Sequence, residues 1–506
     1  MDTQTKALRI LVDLEALLPC GQNGGIKPAL REQFRWLGAQ TEQPFEFIYL
    51  CRPEMQAELR REWLRPHDRL ILAKEAEPNI AAREHCDLVY SAFGMTRWVY
   101  PGIPTVKMEV DVLHRDYPES LSEEERQHRE HHFCEAVEKA TLFQVISDYT
   151  GKQLQQHYGV SPEQIVRTYL PVQNRLPVSA CSEDSSVGKS ENRPYFFYPA
   201  NAWAHKNHKT LLVAYALYRH AAQQTGEPVW RLVLTGNEDA AMQDIRALAS
   251  SLCLEENIEF RGFVNEATLG QLWRAAGALV FPSLHEGFGI PLLEAMGHGV
   301  PILANNATAI PEVAGEAALL VDARSPEQLA ASLHRIASDD ALRGSLAARG
   351  RTRLAQFSLA EEFGRLIPAF RSLLGRPTKL SHWGYYEDRL TGPLATFALP
   401  TVPDGDKAAI LHYTTEPLGQ PRRVEIRADE QLLETVAIPA TAPFSGQIKL
   451  PPTAHTLSLR TLDAARVSEA DPRTLGVRLT RLEVHHAPSG HIADLLPKPP
   501  PASSAT

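Results

Sequence analysis

The 506-residue sequence predicts two parallel-sheet α/β domains facing each other across a cleft, followed by an antiparallel β-domain. Three observations predict it. Short apolar runs alternate with longer helical stretches up to about residue 375. A polar segment interrupts that rhythm near its middle, after which it restarts. Beyond GRPTK the apolar period falls to two.

Taken in order, ALRILVDLEAL, FEFIYL, DLVYSAF and PTVKMEV are near-continuous apolar runs, the pattern of strands buried on both faces. IKPALREQFRWLGAQ and LSEEERQHREHHFCEAVEKA between them have helical length and spacing. These make a first domain of residues 1–178. SACSEDSSVGKSENRP has almost no apolar side chains to bury, so 179–193 reads as a linker. PYFFYPA, WRLVLTG, IEFRGF, ALVFPS and VPILANN, each followed by a helical pattern, make a second domain of residues 194–376, whose last helix is free to fold back on the first. RRVEIRADEQLLETVAIP, GQIKLPP, HTLSLRTLD and LGVRLTRLEVHH alternate apolar and polar residues between Pro, Gly and Asp turns, which predicts a β-sandwich over 385–488. The Pro- and Ser-rich end, within 489–506, reads as a disordered tail.

Composition excludes several classes. A net charge of −9 without a Lys/Arg-rich run argues against a nucleic-acid partner. Six scattered cysteines with no Cys-x-x-Cys suit neither a disulfide scaffold nor a structural zinc site, and point to a reducing cytoplasm. The N-terminal apolar stretch is broken by Asp13 and Glu15, so it is not read as a signal peptide, and no apolar run reaches membrane-spanning length.

The chemistry is concentrated in HEGFGIPLLEAMGHGVPIL, residues 285–303. A Gly-Phe-Gly loop opens onto a helix with Pro291 at its first position. The first amides of such a helix lack intrahelical acceptors and lie at the positive end of its dipole, so they suit an anion. Glu294 is about one turn inside, and helical side chains lean toward the N-terminus, which aims its carboxylate at the mouth that Glu286 occupies from the loop. Ionised carboxylates only accept hydrogen bonds and match vicinal hydroxyls. An anion flanked by polyols is the chemistry of a nucleotide sugar.

The longer stretch LVFPSLHEGFGIPLLEAMGHGVPILANNATAIPEVAGEAALLVD, with its Glu-x7-Glu motif, resembles the donor-binding half of family-four retaining glycosyltransferases, which have the GT-B fold. The resemblance implies that Glu286 lies against the transferred sugar, that Glu294 holds the ribose hydroxyls, and that the Gly287-Phe288-Gly289 backbone faces the diphosphate and sugar. YPANAWAHKNHKTLL resembles the family's phosphate-binding turn, in which Lys206 would neutralise charge on the departing diphosphate. The family often carries an Arg a few residues earlier; Pro199, Ala200 and Asn201 stand there, leaving Asn201 on the donor side. Gly236 of LVLTGNE approaches the ligand by the same strand-end logic, and Gly262 and Phe263 fall where the family stacks its base, although Phe263 also fits a core position.

On the other wall, Asn23-Gly24-Gly25 follows a strand and precedes a helix, and Gly25 lets backbone come close to a phosphate. PTVKMEVDVLHRDYPESLSEEER resembles the family's His-Asp stretch; Asp111 and His114 match, and Val110 replaces the first His. Either Asp111 or His114 is expected to position the reacting sugar. His128, His131 and His132 read as a solvated helix face, Asp404-Gly405-Asp406 as a turn, and Trp63 amid Arg60, Arg61, Arg65 and Arg69 as a solvated amphipathic helix, with a membrane-surface contact as the alternative.

The resemblance therefore implies retaining transfer of a hexose, mannose favoured, from a nucleotide diphosphate sugar, GDP-mannose favoured. The acceptor is a saccharide or lipid-linked glycan of a surface polysaccharide. Neither a resident cofactor nor a metal is expected. The protein is expected in the cytoplasm, and peripheral contact with the inner membrane face and oligomers through the β-domain stay open as alternatives. A glycosidase, a nucleotide-sugar 2-epimerase and a catalytically weak glycan-binding scaffold are the competing classes. Hydrolysis of a simple glycoside, donor conversion without acceptor, and glycan binding without turnover would respectively identify them.

Overall fold

The computed structural model describes residues 7–19, 23–42, 44–76, 79–94, 97–171, 194–375, 378, 382–385, 391–399, 408–429, 431–451, 454–464, 476–487 and 492–496. The linker at 179–193, Asp404-Gly405-Asp406 and most of the expected tail lie outside them.

The first domain has strands β1 Leu8–Asp13, β2 Phe45–Cys51, β3 Arg69–Leu72, β4 Leu88–Ser91, β5 Thr105–Glu109, β6 Leu142–Val145 and β7 Ile165–Arg167. They form one parallel sheet in the order β3-β2-β1-β4-β5-β6-β7. The second has β8 Tyr195–Pro199, β9 Arg231–Thr235, β10 Ile258–Phe260, β11 Ala278–Phe281, β12 Ile302–Asn305 and β13 Ala318–Val321, also all parallel, in the order β10-β9-β8-β11-β12-β13. Both are Rossmann-like and wind outward from a central pair, β1/β4 in one and β8/β11 in the other. Where strand order reverses, the loops beyond the strand ends diverge and leave a crevice, so each sheet offers a binding edge there. These two edges face each other.

Their central strands are buried on both faces, as LRILVD, FEFIYLC, YFFYP and ALVF require. The chain's later helices, Leu359–Gly364 and Leu366–Arg371, return to the first domain. There the Glu362 carboxylate accepts from Arg167 Nη1 at 2.7 Å and from the Tyr169 amide at 2.8 Å, Phe363 lies beside Trp36, and Phe370 lies beside Tyr90.

Two antiparallel sheets follow. One holds β14 His382–Tyr385, β15 Thr391–Ala398, β17 Arg422–Ala428, β18 Gln431–Ile438 and β20 Thr456–Thr461; the other holds β16 Ala408–Glu416, β19 Phe444–Leu450, β21 Arg478–Ala487 and β22 Ile492–Asp494. Alternate residues such as Val424, Ile426, Leu457, Leu459, Leu411 and Leu482 form their shared core. RRVEIRADEQLLETVAIP is a hairpin that turns at Asp429, whose φ is +49°. Ile492–Asp494, inside the segment expected as tail, instead pairs with β21, because Leu495 and Leu496 beside it find the sandwich core. This domain sits on the first one: the Tyr100 hydroxyl is 3.2 Å from Ser458 Oγ, and the Gly102 amide donates to Thr378 Oγ1.

Trp63 corrects another expectation. The helix Gln56–Glu62 ends just before it, and its ring turns inward against Tyr49 with 4% of its surface exposed. Nearby, Arg65 is spent on Asp68 and the Phe45 carbonyl. No membrane-facing indole exists there. Among the described residues no helix is long and apolar enough to cross a membrane.

Candidate active site

A cleft of about 1280 Å³ runs between the two Rossmann-like domains. Loops beyond strand ends line it: β1 through Asn23–Gly25, β5 through Val110 and Asp111, β8 through Asn201–Lys206, β9 through Gly236, β10 through Phe263, and β11 through His285–Gly289. Of the residues singled out from the sequence, Gly25, Asp111, Asn201, Lys206, Gly236, Phe263, Glu286, Gly287, Phe288, Gly289 and Glu294 line it. His114 does not.

The floor is built by the β11 loop. Gly289, at φ +98°, occupies a left-handed conformation that favours glycine and turns the chain into the helix Ile290–His298. Pro291 sits in its first turn and Gly299, at φ +70°, ends it. Glu294 is buried within this helix at 2% exposure while still lining the cleft. Glu286 is fixed by its backbone: its amide donates to Thr308 Oγ1 at 3.0 Å and its carbonyl accepts from the Ala309 amide. Its carboxylate accepts from Lys206 Nζ at 2.6 Å. Both side chains are mostly buried, at 15% for Lys206 and 12% for Glu286, so the pair is a strong electrostatic contact rather than a solvated surface bridge.

Lys206 ends a single 3-10 turn, Ala204–Lys206, and is held from below, where its carbonyl accepts from the buried Tyr198 hydroxyl at 2.8 Å. Asn207 follows at φ +61°, and its side-chain amide donates to the Pro282 and Ala323 carbonyls. That anchors the turn to the β11 edge. Asn201 accepts the Asn237 amide at 2.9 Å, and a Cβ on Gly236 would stand 2.6 Å from the Ala200 carbonyl oxygen, so glycine is what lets these two loops touch. Phe263, offered both as a base platform and as core, is 66% exposed on the cleft wall and is not core.

On the first domain, Asp111 accepts from Arg129 Nη1 at 3.2 Å and from the Leu113 amide at 3.0 Å. Burial opposes its ionised form, but Arg129, His285 and the Leu113 amide outweigh it and hold the carboxyl below its ordinary range. Asp111 also begins the turn that sends His114 the other way. His114 Nε2 meets the Tyr158 hydroxyl at 2.7 Å and its ring lies against Phe133, behind the cleft wall. Burial pushes its imidazole down to about 4. The expectation that it positions a sugar is therefore corrected: the helix Leu113–Asp116 turns its side chain into the core.

Several cleft residues were not foreseen. His205 lines the cleft beside Lys206, and burial together with that neighbouring cation lowers its imidazole to about 4. His285, one residue before Glu286, reaches across the domains: its Nε2 is 3.0 Å from Asp116 Oδ2, which also accepts from the Tyr149 hydroxyl at 2.9 Å. Glu312 makes a second crossing, accepting the Asp148 and Tyr149 amides at the start of the helix Asp148–Tyr158. Val110, in place of the histidine of the resembled pattern, touches the opposite loop through its backbone. A Cβ on Gly287 would overlap the Val110 carbonyl oxygen and lie 2.8 Å from its carbon. Among the described residues no cluster suited to a metal ion is present. The donor-side loops thus bring together a buried cation paired with a carboxylate, a second buried carboxylate, and helix-opening amides, an arrangement able to receive an anion between two polyols.

Residues 182–353 match the family described as Glycosyl transferases group 1. O-antigen chain mannosyltransferase B of Escherichia coli is 28% identical over 259 residues, covering 51% of this chain and 67% of that protein. O-antigen chain mannosyltransferase RfbU of Salmonella typhimurium is 26% identical over 167 residues, 32% of this chain and under half, 44%, of that protein. The crystal structure of Anabaena Alr3699/HepE in complex with UDP superposes with a TM-score of 0.57 at 18% identity, over 72% of this chain and 100% of that one, which establishes the shared fold. With this fold, this matched domain and these relatives, the chain is a glycosyltransferase of GT-B fold whose residues 182–353 are similar to the glycosyl transferases group 1 family.

Proposed function

We propose that the protein is a retaining glycosyltransferase that moves a hexose, with mannose as the first candidate, from a nucleotide diphosphate sugar to a saccharide or lipid-linked glycan acceptor in surface polysaccharide synthesis. The observation that carries the proposal is the buried Lys206–Glu286 pair, 2.6 Å long, at the opening of the helix that also holds Glu294. A donor diphosphate entering there takes over Lys206 and the loop amides. Glu286, released from its cation, turns to the sugar hydroxyls, and Glu294 to the ribose. Mannose, and GDP-mannose as donor, are favoured by the two relatives, both named as O-antigen chain mannosyltransferases.

The reaction we propose is a front-face displacement. The acceptor hydroxyl oxygen bonds to the anomeric carbon on the face from which the diphosphate departs. The bond from that carbon to the phosphate oxygen breaks with its electron pair, and the leaving phosphate takes the acceptor proton. Lys206 and the amides stabilise charge where it develops, and the cleft supplies orientation. No protein nucleophile takes part.

The test is thermal unfolding with GDP-, UDP- and dTDP-sugars, beside the Glu294→Ala variant. At about a hundred times its dissociation constant a ligand adds roughly 2.7 kcal/mol of stability. Stabilisation by one nucleotide class that the variant loses, with transfer from that donor, is the expected result. No stabilisation by any of them refutes the donor site.

A further inference from the structure

Among the described residues the large apolar side chains left exposed include two aromatic rings, Trp203 and Phe263, and both line the cleft. Exposed aromatic area is costly in water, and a pair of rings placed on one concave wall is the signature of a ligand with flat or ring-shaped parts. Phe263 stands on the loop after β10, next to Gly236 and the donor-side loops, where a nucleobase is expected. Trp203 stands elsewhere. It is 50% exposed on the turn that carries Lys206, whose Nζ is 6.0 Å from the centre of the indole ring. His205 backs it at 5.7 Å between ring centres. The ring therefore sits beside the ammonium proposed to meet the leaving phosphate, which is where an incoming hydroxyl must arrive.

The first-domain lining of the same cleft narrows the chemistry. From the first domain Ser120 and Leu121 line the same cleft with Arg129, whose guanidinium is already paired to Asp111. Half-neutralised charges and a hydroxyl offer donors and acceptors in alternation, and the indole and leucine offer apolar faces. That combination fits a neutral pyranose ring, with polar edges and apolar C–H faces.

We infer that Trp203 is the platform for the acceptor's terminal sugar, and that this terminus is an uncharged saccharide ring. The inference rests on the donor assignment above, and its test keeps the two separate. Binding of mannotriose, maltotriose and a rhamnose disaccharide is measured calorimetrically on the full chain saturated with GDP or UDP, whichever binds. Trp203→Ala, Trp203→Phe and Phe263→Ala are compared with the wild type. Losing one stacked ring should weaken the best saccharide by about tenfold in Trp203→Ala. Trp203→Phe should recover most of it, and nucleotide affinity should move only in Phe263→Ala. Because Trp203 is half exposed, its replacement leaves the core untouched. Saccharide binding unchanged in Trp203→Ala, a loss of nucleotide affinity in that variant instead, or no saccharide bound by the wild type each overturns the inference. Failure of every nucleotide to bind would instead overturn the donor assignment.

Discussion

Gly287→Ala isolates what the contact between the two domains does. Gly287 has no positive φ, so alanine fits its own backbone. The obstruction is across the cleft. The added Cβ would overlap the Val110 carbonyl oxygen, and would lie 2.8 Å from the Val110 carbonyl carbon and 3.2 Å from Asp111 Cβ. Carbon atoms rest at about 3.5–4.0 Å, so the β5 loop must retreat by about 1 Å. Backbone cannot give way as a flexible side chain would. A displacement of that size between catalytic groups costs on the order of a hundredfold in turnover, about 2.7 kcal/mol of barrier. Neither domain's core is touched, so the melting temperature should stay within about a degree or two of wild type. Steady-state transfer assays with the donor found by thermal shift, beside circular-dichroism melts, read both quantities. Gly344→Ala, in a helix with nothing within 4 Å of its added Cβ, is the control. Wild-type turnover in Gly287→Ala would refute the argument that this close approach sets the catalytic geometry.

Other outcomes follow from the same geometry. Lys206→Ala should lower kcat by about a hundred- to a thousandfold, as loss of one preorganised charge-stabilising group does, and Lys206→Ala with Glu286→Gln should melt higher than Lys206→Ala alone, because the single variant leaves Glu286 buried without its cation. Asp116→Asn, which weakens the acceptor of His285 across the cleft, should cost about tenfold in kcat with its own fold intact, read as a split between kcat and KM. His114 gives a pH signature. Its imidazole titrates at about 4 in the fold against 6.5 when free, so as pH falls from 6.5 toward 4 the unfolded chain binds a proton that the folded chain refuses, and stability drops. His114→Gln should make that part of the melting-temperature profile shallower, with His205 sustaining the rest, while leaving it unchanged above pH 7; an unchanged acid slope would show that His114 titrates normally in the fold.

Local pattern made much of this readable. The apolar runs of β1, β2, β8 and β11 announce doubly buried strands, and Gly289, Pro291 and Gly299 punctuate the helix of Glu294 as turn chemistry dictates. Side-chain direction was less readable. Trp63, among four arginines, looked exposed, yet it lies one residue past a helix end and turns toward Tyr49; His114, three residues after Asp111, lies in a short helix that Asp111 only precedes, and its side chain turns into the core. Partners across the cleft left no local trace. Asp116 and His285 are 169 positions apart, and no periodicity encodes such a pair.

The way the chain doubles back has a mechanical consequence. After the donor-side sheet is complete, helices Leu359–Gly364 and Leu366–Arg371 clip onto the first domain through Glu362, Phe363 and Phe370, and the sandwich then rests on the same body at Tyr100 and Gly102. The described residues from 359 onward thus belong with the β1–β7 sheet to the stator, and the β8–β13 sheet is the rotor. Any opening of the cleft between these bodies would have to part Asp116–His285 and the Glu312 contacts, whereas Glu362–Arg167 lies within the stator and would stay closed. A glycan gripped by the sandwich would keep its distance from the acceptor wall through every such stroke.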